Sequence, residues 1–367
     1  MKQKVRIISG IIIAAIWLIL SAVAWFKPAG EISTSERRPL AQFPELSVNT
    51  VLEGQFATKF EEYTLDQFPM RDTFRQLKSI VHYYGLLQKD NNDIYVYDST
   101  AAKMEYPLSE KWVNNAIDKF DKIYNKYLKN TDCKVYMSII PDKSYYIAEE
   151  TGHLSLDYEK LYSMVGDIKW AKHIDIRDRL LIESYYGTDT HWQQDWLMTV
   201  AETLCGAMGS STYNIDEVYP EIITENFYGV YYGQAALPIR PDTMMVIHTD
   251  ATNNATVFDY ETNKTLTVYN EMALFGDGDM YDYFLHGAKA MLRIDNPDAK
   301  TDKELVIFRD SFGSSITPLL MRDYKTVYMV DIRYIASDWI GNFITFDNQD
   351  VLFLYSTTVL NNSSTFK

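Results

Sequence analysis

The chain of 367 residues is short of cysteine, of histidine and of positive charge, and each scarcity excludes something. Its two cysteines, Cys133 and Cys205, lie far apart with no C-x-x-C or similar spacing, so no thiolate metal site is encoded. They admit either one disulfide or two separate buried thiols. Lys and Arg total 35 against 50 Asp and Glu, and the net charge of −15 argues against nucleic acid, heparin-like polyanions and anionic lipid as partners. Neutral sugars stay open, and the 28 tyrosines would suit them, although most tyrosines in an exported protein are simply half-buried. No phosphate-loop pattern G-x-x-x-x-G-K-[ST] occurs, which argues against a nucleotide donor held in that way. Internal repeats and low-complexity tracts are absent too.

Long apolar runs are equally scarce, with one exception. Ile7 to Phe26 carries no charge and follows Lys2, Lys4 and Arg6. A helix of that length crosses a hydrocarbon core of roughly 30 Å. The basic flank would stay in the cytoplasm and place everything after Lys27 outside. Trp25 and Phe26 fall where an interfacial aromatic belt would lie. Ala22-Val23-Ala24 resembles a signal-peptidase site, so secretion after cleavage is the alternative.

The pattern divides the chain into a transmembrane anchor over 1–28, a stalk and helical region over 29–108, and an α/β domain over 109–367. Lys27 to Asn49 reads as an extended stalk. Phe56, Phe60, Tyr63 and Leu65 predict a helix that Pro69 ends, with a second helix from about Asp72 to His82. Asn91-Asn92-Asp93 reads as a turn before a strand at Ile94–Tyr97. From Ser109, read as the cap of a helix reaching toward Leu128, short apolar runs alternate with helical ones. Strands are expected at Val135–Ile140, His173–Ile176, Leu305–Phe308, Val327–Val330 and Val351–Tyr355. Helices are expected at Tyr158–Val165, Gln193–Met208, Ser314–Met321 and Asp338–Ile344. Strands with little alternation are covered on both faces, so the alternation predicts a doubly wound, mostly parallel sheet. About 209–296 the pattern changes to an antiparallel β insertion, with a hairpin over Thr256–Tyr269 and a loop at Gly276–Asp279.

Two segments carry chemistry. Asp189 stands two residues before His191, and alternate residues of an extended loop point the same way. Ser311 follows the run Glu304–Phe308 and precedes the helical run that opens at Gly313. A serine at a strand's carboxyl end sits where open α/β sheets bind ligands, and helix N–H groups there suit a developing oxyanion. A neutral serine needs a base, imidazole titrates near the required pH, and a carboxylate fixes its tautomer. Taken singly, Ser311 also fits a helix cap and Asp189-x-His191 an exposed polar loop. Asp189, His191 and Asp195 also fit three metal ligands. The other histidines, His82, His153, His173, His248 and His286, lack a comparable carboxylate.

YYGTDTHW (185–192) followed by FRDSFGSSITPLL (308–320) resembles the DHHW family and the related alginate-acetylation proteins of the SGNH hydrolase-like superfamily. SERRPLAQFP, DQFPMRD, SIIPDK, NFYGVYYG, MVDIRYI and VLFLY add to the resemblance, which spans most of the exported part. It implies a three-layer α/β/α domain with Asp189, His191 and Ser311 as a catalytic triad and no cofactor. Thr190 stands where the family's name motif has histidine. Ser311 and Gly229, the glycine of NFYGVYYG, are the implied oxyanion donors. Asparagine is missing from HGAKA (His286 to Ala290), where relatives often have one. The implied function is a membrane-anchored extracytoplasmic O-acetyltransferase acting on a polysaccharide, fed by a multispanning membrane acyltransferase. An acetylesterase with the same triad and a non-catalytic polysaccharide-binding subunit are the alternatives.

Overall fold

The computed structural model describes residues 2–276 and 278–367. Met1 and Asp277, which fall in the expected anchor and the expected Gly276–Asp279 loop, lie outside the described residues. The chain forms two compact units, Met1–Asn91 with Gly233–Pro238, and Asn92–Tyr232 with Ile239–Lys367.

The first unit opens with helix α1 (Lys2–Phe26). Its stretch Lys4–Phe26 is long and apolar enough to cross a membrane, and at 1.5 Å per residue it measures about 35 Å. Helices α2 (Gln55–Asp66) and α3 (Arg71–Ile80) follow, separated at Pro69 as the proline requires. A π-helical turn, Val81–Gly85, continues α3.

The second unit is built on an eight-stranded sheet. In chain order its strands are β1 (Lys134–Ile140), β2 (Lys172–His173), β3 (Thr256–Asp259), β4 (Lys264–Leu266), β5 (Met291–Asp295), β6 (Lys303–Arg309), β7 (Tyr324–Val330) and β8 (Asp350–Ser356). They lie in the order β4-β3-β5-β7-β6-β8-β1-β2. The five from β7 to β2 pair in parallel, and β5, β3 and β4 continue the sheet antiparallel. The expected hairpin is therefore present as β3 and β4, but it extends the main sheet. The expected insertion also contributes β5 to that sheet and, apart from it, a separate antiparallel pair, Tyr219–Phe227 with Asp242–His248.

Period-two geometry sends alternate residues of each strand to opposite faces. Leu305 and Ile307 of β6 with Leu352 and Leu354 of β8 meet α6 (Met198–Met208) and α7 (Gly313–Leu320) through Leu204, Ile316 and Leu319. Val306, Phe308, Val351 and Phe353 point the other way, against Val113, Phe120, Leu161 and Val165 of α4 (Glu110–Ile123) and α5 (Tyr158–Gly166). Three layers result because both faces of every central strand are apolar.

Three local expectations are revised. His173–Ile176 contributes only the end of the two-residue strand β2. Asp338–Ile344 is replaced by a 3-10 helix, Ser337–Asn342, followed by a single α-type bond from Ile344 N–H to Ile340 O. Ser109 occupies the cap position of α4, but its side chain makes no capping bond, and its N–H donates to Asn361 Oδ1. Cys133 and Cys205 are both free thiols, Cys205 fully buried.

The core under β8 rests on Phe353, fully buried, stacked on Phe308 at 4.6 Å and touching Phe120 and Trp170. Phe353→Ala should cost about 3–5 kcal/mol, seen as a lower urea midpoint at unchanged slope.

Candidate active site

β6 ends at Arg309, and the chain turns through Asp310, Ser311 and Phe312 into α7. Asp310 holds the turn, its Oδ1 accepting from Phe312 N–H and its Oδ2 from Ser356 N–H at the end of β8. Gly313 is obligatory, since a Cβ there would lie 2.7 Å from Arg309 Cβ. Every residue of α7 is buried, so the turn is pressed onto the sheet and Ser311 alone stays half-exposed at its tip.

Opposite stands the Tyr186–Trp192 loop, closed by a bridge between Tyr185 and Trp192 and by Tyr186 N–H donating to His191 O. His191 Nε2 lies 2.7 Å from Ser311 Oγ, and His191 Nδ1 lies 2.6 Å from Asp189 Oδ1. Nothing local requires this approach, since 120 residues separate the serine from the histidine. The carboxylate fixes the imidazole with its proton on Nδ1, leaving Nε2 to accept from the serine hydroxyl. Asp189 is fully buried, and Val230 N–H donates to its Oδ2. Tyr281 stacks flat on the His191 ring at 3.8 Å, and Phe312 packs beside it. Tyr281 O–H in turn meets Ser315 Oγ, which also accepts from Trp192 Nε1. The ring is thus clamped by groups on both segments.

The loop backbone is held by two side chains, one donating to its carbonyls and one accepting from its amides. Lys143, buried just beyond β1, donates from Nζ to Ala101 O and Tyr186 O, and burial pulls its pKa down to about 7. Asp242 accepts from Gly187 N–H, Thr188 N–H and Thr188 O–H. Neither residue stands out in the sequence. The one available signal was a lone lysine after the end of an apolar strand, in SIIPDK.

The remaining sequence candidates fall as follows. Thr190 points away, its Oγ1 accepting from Tyr231 O–H. Gly229 sits against Asp189, and a Cβ there would come within 2.2 Å of Asp189 Cβ. Its N–H donates to Thr188 Oγ1 at 2.8 Å, which removes it from the oxyanion role suggested by the sequence. The glycine is needed for the space it leaves. Ser311 N–H makes no hydrogen bond among the described residues and lies two residues before α7. Asp195 is apart from the Asp189–His191 pair, with its pKa raised by burial. Among the described residues no cluster of three or more His, Cys, Asp or Glu is placed to hold a metal ion.

A mostly parallel sheet between two helical layers, with serine at the mouth of a central strand, is an SGNH hydrolase-like fold. Residues 148–330 match the DHHW protein family model, and over that segment the chain is a member of this family. It is similar to the crystal structure of a DHHW family protein from Eubacterium siraeum, with 19% identity, 75% of this chain and 95% of that one covered, and a TM-score of 0.60. Bacillus cereus PatB1 aligns at 16% identity over 73% and 96% of the two chains with a TM-score of 0.59. PatB1 with a sulfonyl adduct aligns at 15% over 73% and 97% with a TM-score of 0.58. A comparison with curated proteins gives no match.

Two measurements test the support of the loop. Gly229→Ala should displace Asp189 and lose most activity while the far-ultraviolet circular dichroism is kept. Lys143 has a folded pKa of about 7, below its unfolded 10.5, so folding releases a proton between those values and stability rises with pH across the window. Relative to Lys143→Met, the wild type should gain up to about 1.4 kcal/mol per pH unit there, read from urea midpoints between pH 7 and 10.

Proposed function

We propose that the protein is a membrane-anchored, extracytoplasmic serine O-acyltransferase that places acetyl groups on a cell-surface or exported polysaccharide. The observation that carries this reading is the unbroken hydrogen-bond chain Ser311–His191–Asp189. In this reading residues 1–28 anchor the chain, 29–108 form the stalk and helical region, and 109–367 perform the chemistry. The acetyl group and the polysaccharide rest on the family resemblance, as does a multispanning membrane acyltransferase that hands over the acyl group.

His191 Nε2 takes the Ser311 proton as Oγ attacks the donor's acyl carbonyl. The tetrahedral oxyanion meets Ser311 N–H and the positive end of α7. His191 then gives the proton to the leaving group, and the acyl ester remains on Ser311. A sugar hydroxyl, deprotonated by His191, attacks that ester, and the proton returns to Ser311 as the acetylated sugar departs. Asp189 stays ionised and stabilises each imidazolium. Tyr281, flat on the ring, keeps Nε2 aimed at Oγ.

Half-exposed Ser311 also favours a second reading, in which water replaces the sugar and the protein is an acetylesterase. A soluble acetyl ester offered with and without oligosaccharide separates the two. Acetylated oligosaccharide formed at the expense of acetate supports transfer, and acetate release indifferent to every acceptor overturns it. A sulfonyl fluoride should label Ser311 and block turnover. Ser311→Ala and His191→Ala should each abolish turnover in a folded protein, and Asp189→Asn should cost orders of magnitude. Full activity in Ser311→Ala would end the serine mechanism.

A further inference from the structure

Helix α3 is amphipathic in the wrong sense for a helix of a water-soluble fold. Phe74, Leu77, Ile80, Val81 and Tyr84 recur at three- and four-residue spacing along α3 and its π-helical continuation, which makes one stripe. Such a stripe ordinarily faces a core. Here all five side chains are 40–57% exposed, and Leu86 and Leu87 just beyond are more exposed still. The polar side is turned inward instead. Ser79 is buried, donating to Arg75 O and accepting from Asn91 Nδ2. The Arg75 guanidinium donates to Gly233 O and pairs with Glu36 at 3.2 Å. Polar bonds therefore fix the helix with its apolar side outward, where Phe68 packs edge-on against Phe74 and Tyr83 against Tyr84.

The same unit ties this helix to the end of α1. Gln67, four residues before α3, exchanges two hydrogen bonds with Gly30, at 2.8 and 2.9 Å. Gly30 is four residues past Phe26, a distance of at most about 14 Å of chain. Trp25 at the end of α1 also touches Phe60 of α2, with ring centroids 6.3 Å apart. The interfacial layer of a bilayer is about 5–8 Å thick on each side. We propose that the apolar stripe of α3 lies in the outer interface of the bilayer that α1 spans, the lipid covering what the chain leaves bare. Burial of five apolar side chains, at about 25 cal/mol per Å², drives this without help from charge. The net charge of −15 favours zwitterionic over anionic headgroups. The inference rests on α1 as a membrane anchor and is independent of the serine chemistry.

The test uses the full chain with Cys133→Ser, which leaves the buried Cys205 as its only native thiol. One added cysteine carries an environment-sensitive fluorophore in phosphatidylcholine vesicles. Leu77→Cys reports the stripe, Ile12→Cys reports insertion of α1, and Leu181→Cys gives an exposed reference in the other unit. With the proposal correct, nitroxide lipid quenches the Leu77 label several-fold more than the Leu181 label, and aqueous iodide does the reverse. A Leu77 label as open to iodide as Leu181, with the Ile12 label in lipid, overturns the proposal while the anchor stands. Shielding from both quenchers also overturns it, in favour of a protein cover such as a second copy. An Ile12 label open to iodide removes the anchor and the proposal together.

Discussion

Lys143 and Asp242 grip the same short stretch of backbone, one at a carbonyl and the other at amides, and the geometry of the candidate site follows from that grip. Lys143 Nζ donates to the carbonyl of Tyr186, and the Asp242 carboxylate takes the amides of Gly187 and Thr188. A loop held at both its acceptors and its donors cannot rotate a peptide without breaking one of these bonds, those to the Asp242 carboxylate being charge-assisted and worth about 1.5–3 kcal/mol each. Asp189 follows directly and inherits a fixed direction, so its fully buried carboxylate faces one imidazole nitrogen. Every contact from there to Ser311 is a consequence of where that carboxylate points.

The serine side is fixed by a different means, packing. All of α7 is buried, and Asp310 ties the turn to the end of β8. Arg309 is buried beneath it, with its Nη1 3.9 Å from Asp331 and burial pulling its pKa down. Gly313 exists to let that side chain pass. One partner of the Ser311–His191 contact is therefore placed by hydrogen bonds to backbone and the other by close packing. Their meeting at 2.7 Å requires both halves of the second unit to be folded.

Much of this was legible in the sequence, for identifiable reasons. Leu305–Phe308 and Val351–Tyr355 are apolar at every position, which announces strands covered on two faces, and Ser311 is marked by its place between strand and helix. Asp189 and His191 are legible because two-residue spacing is a local signal. Lys143 and Asp242 are not, since their meaning lies in which backbone groups reach them across the fold. The sequence points to Gly229 for its N–H, whereas its importance is steric and depends on Asp189 lying against it. The hairpin at Thr256 was legible as a hairpin, but its docking onto the main sheet depends on β5 pairing with β7 through Met291 and Val330. No local pattern encodes such a pairing.

The sheet's two borders have a consequence for how the molecule behaves in a crowded compartment. One border is β2, of two residues, and the other is β4, of three, and each begins with lysine. A row of unpaired amides and carbonyls is a template on which another chain can add a strand, and brevity with a positive charge spoils that template. The six strands between these borders have both flanks occupied. A sheet this large would otherwise invite polymerisation, so its stunted margins give the folded protein colloidal safety without any need for a covering subunit.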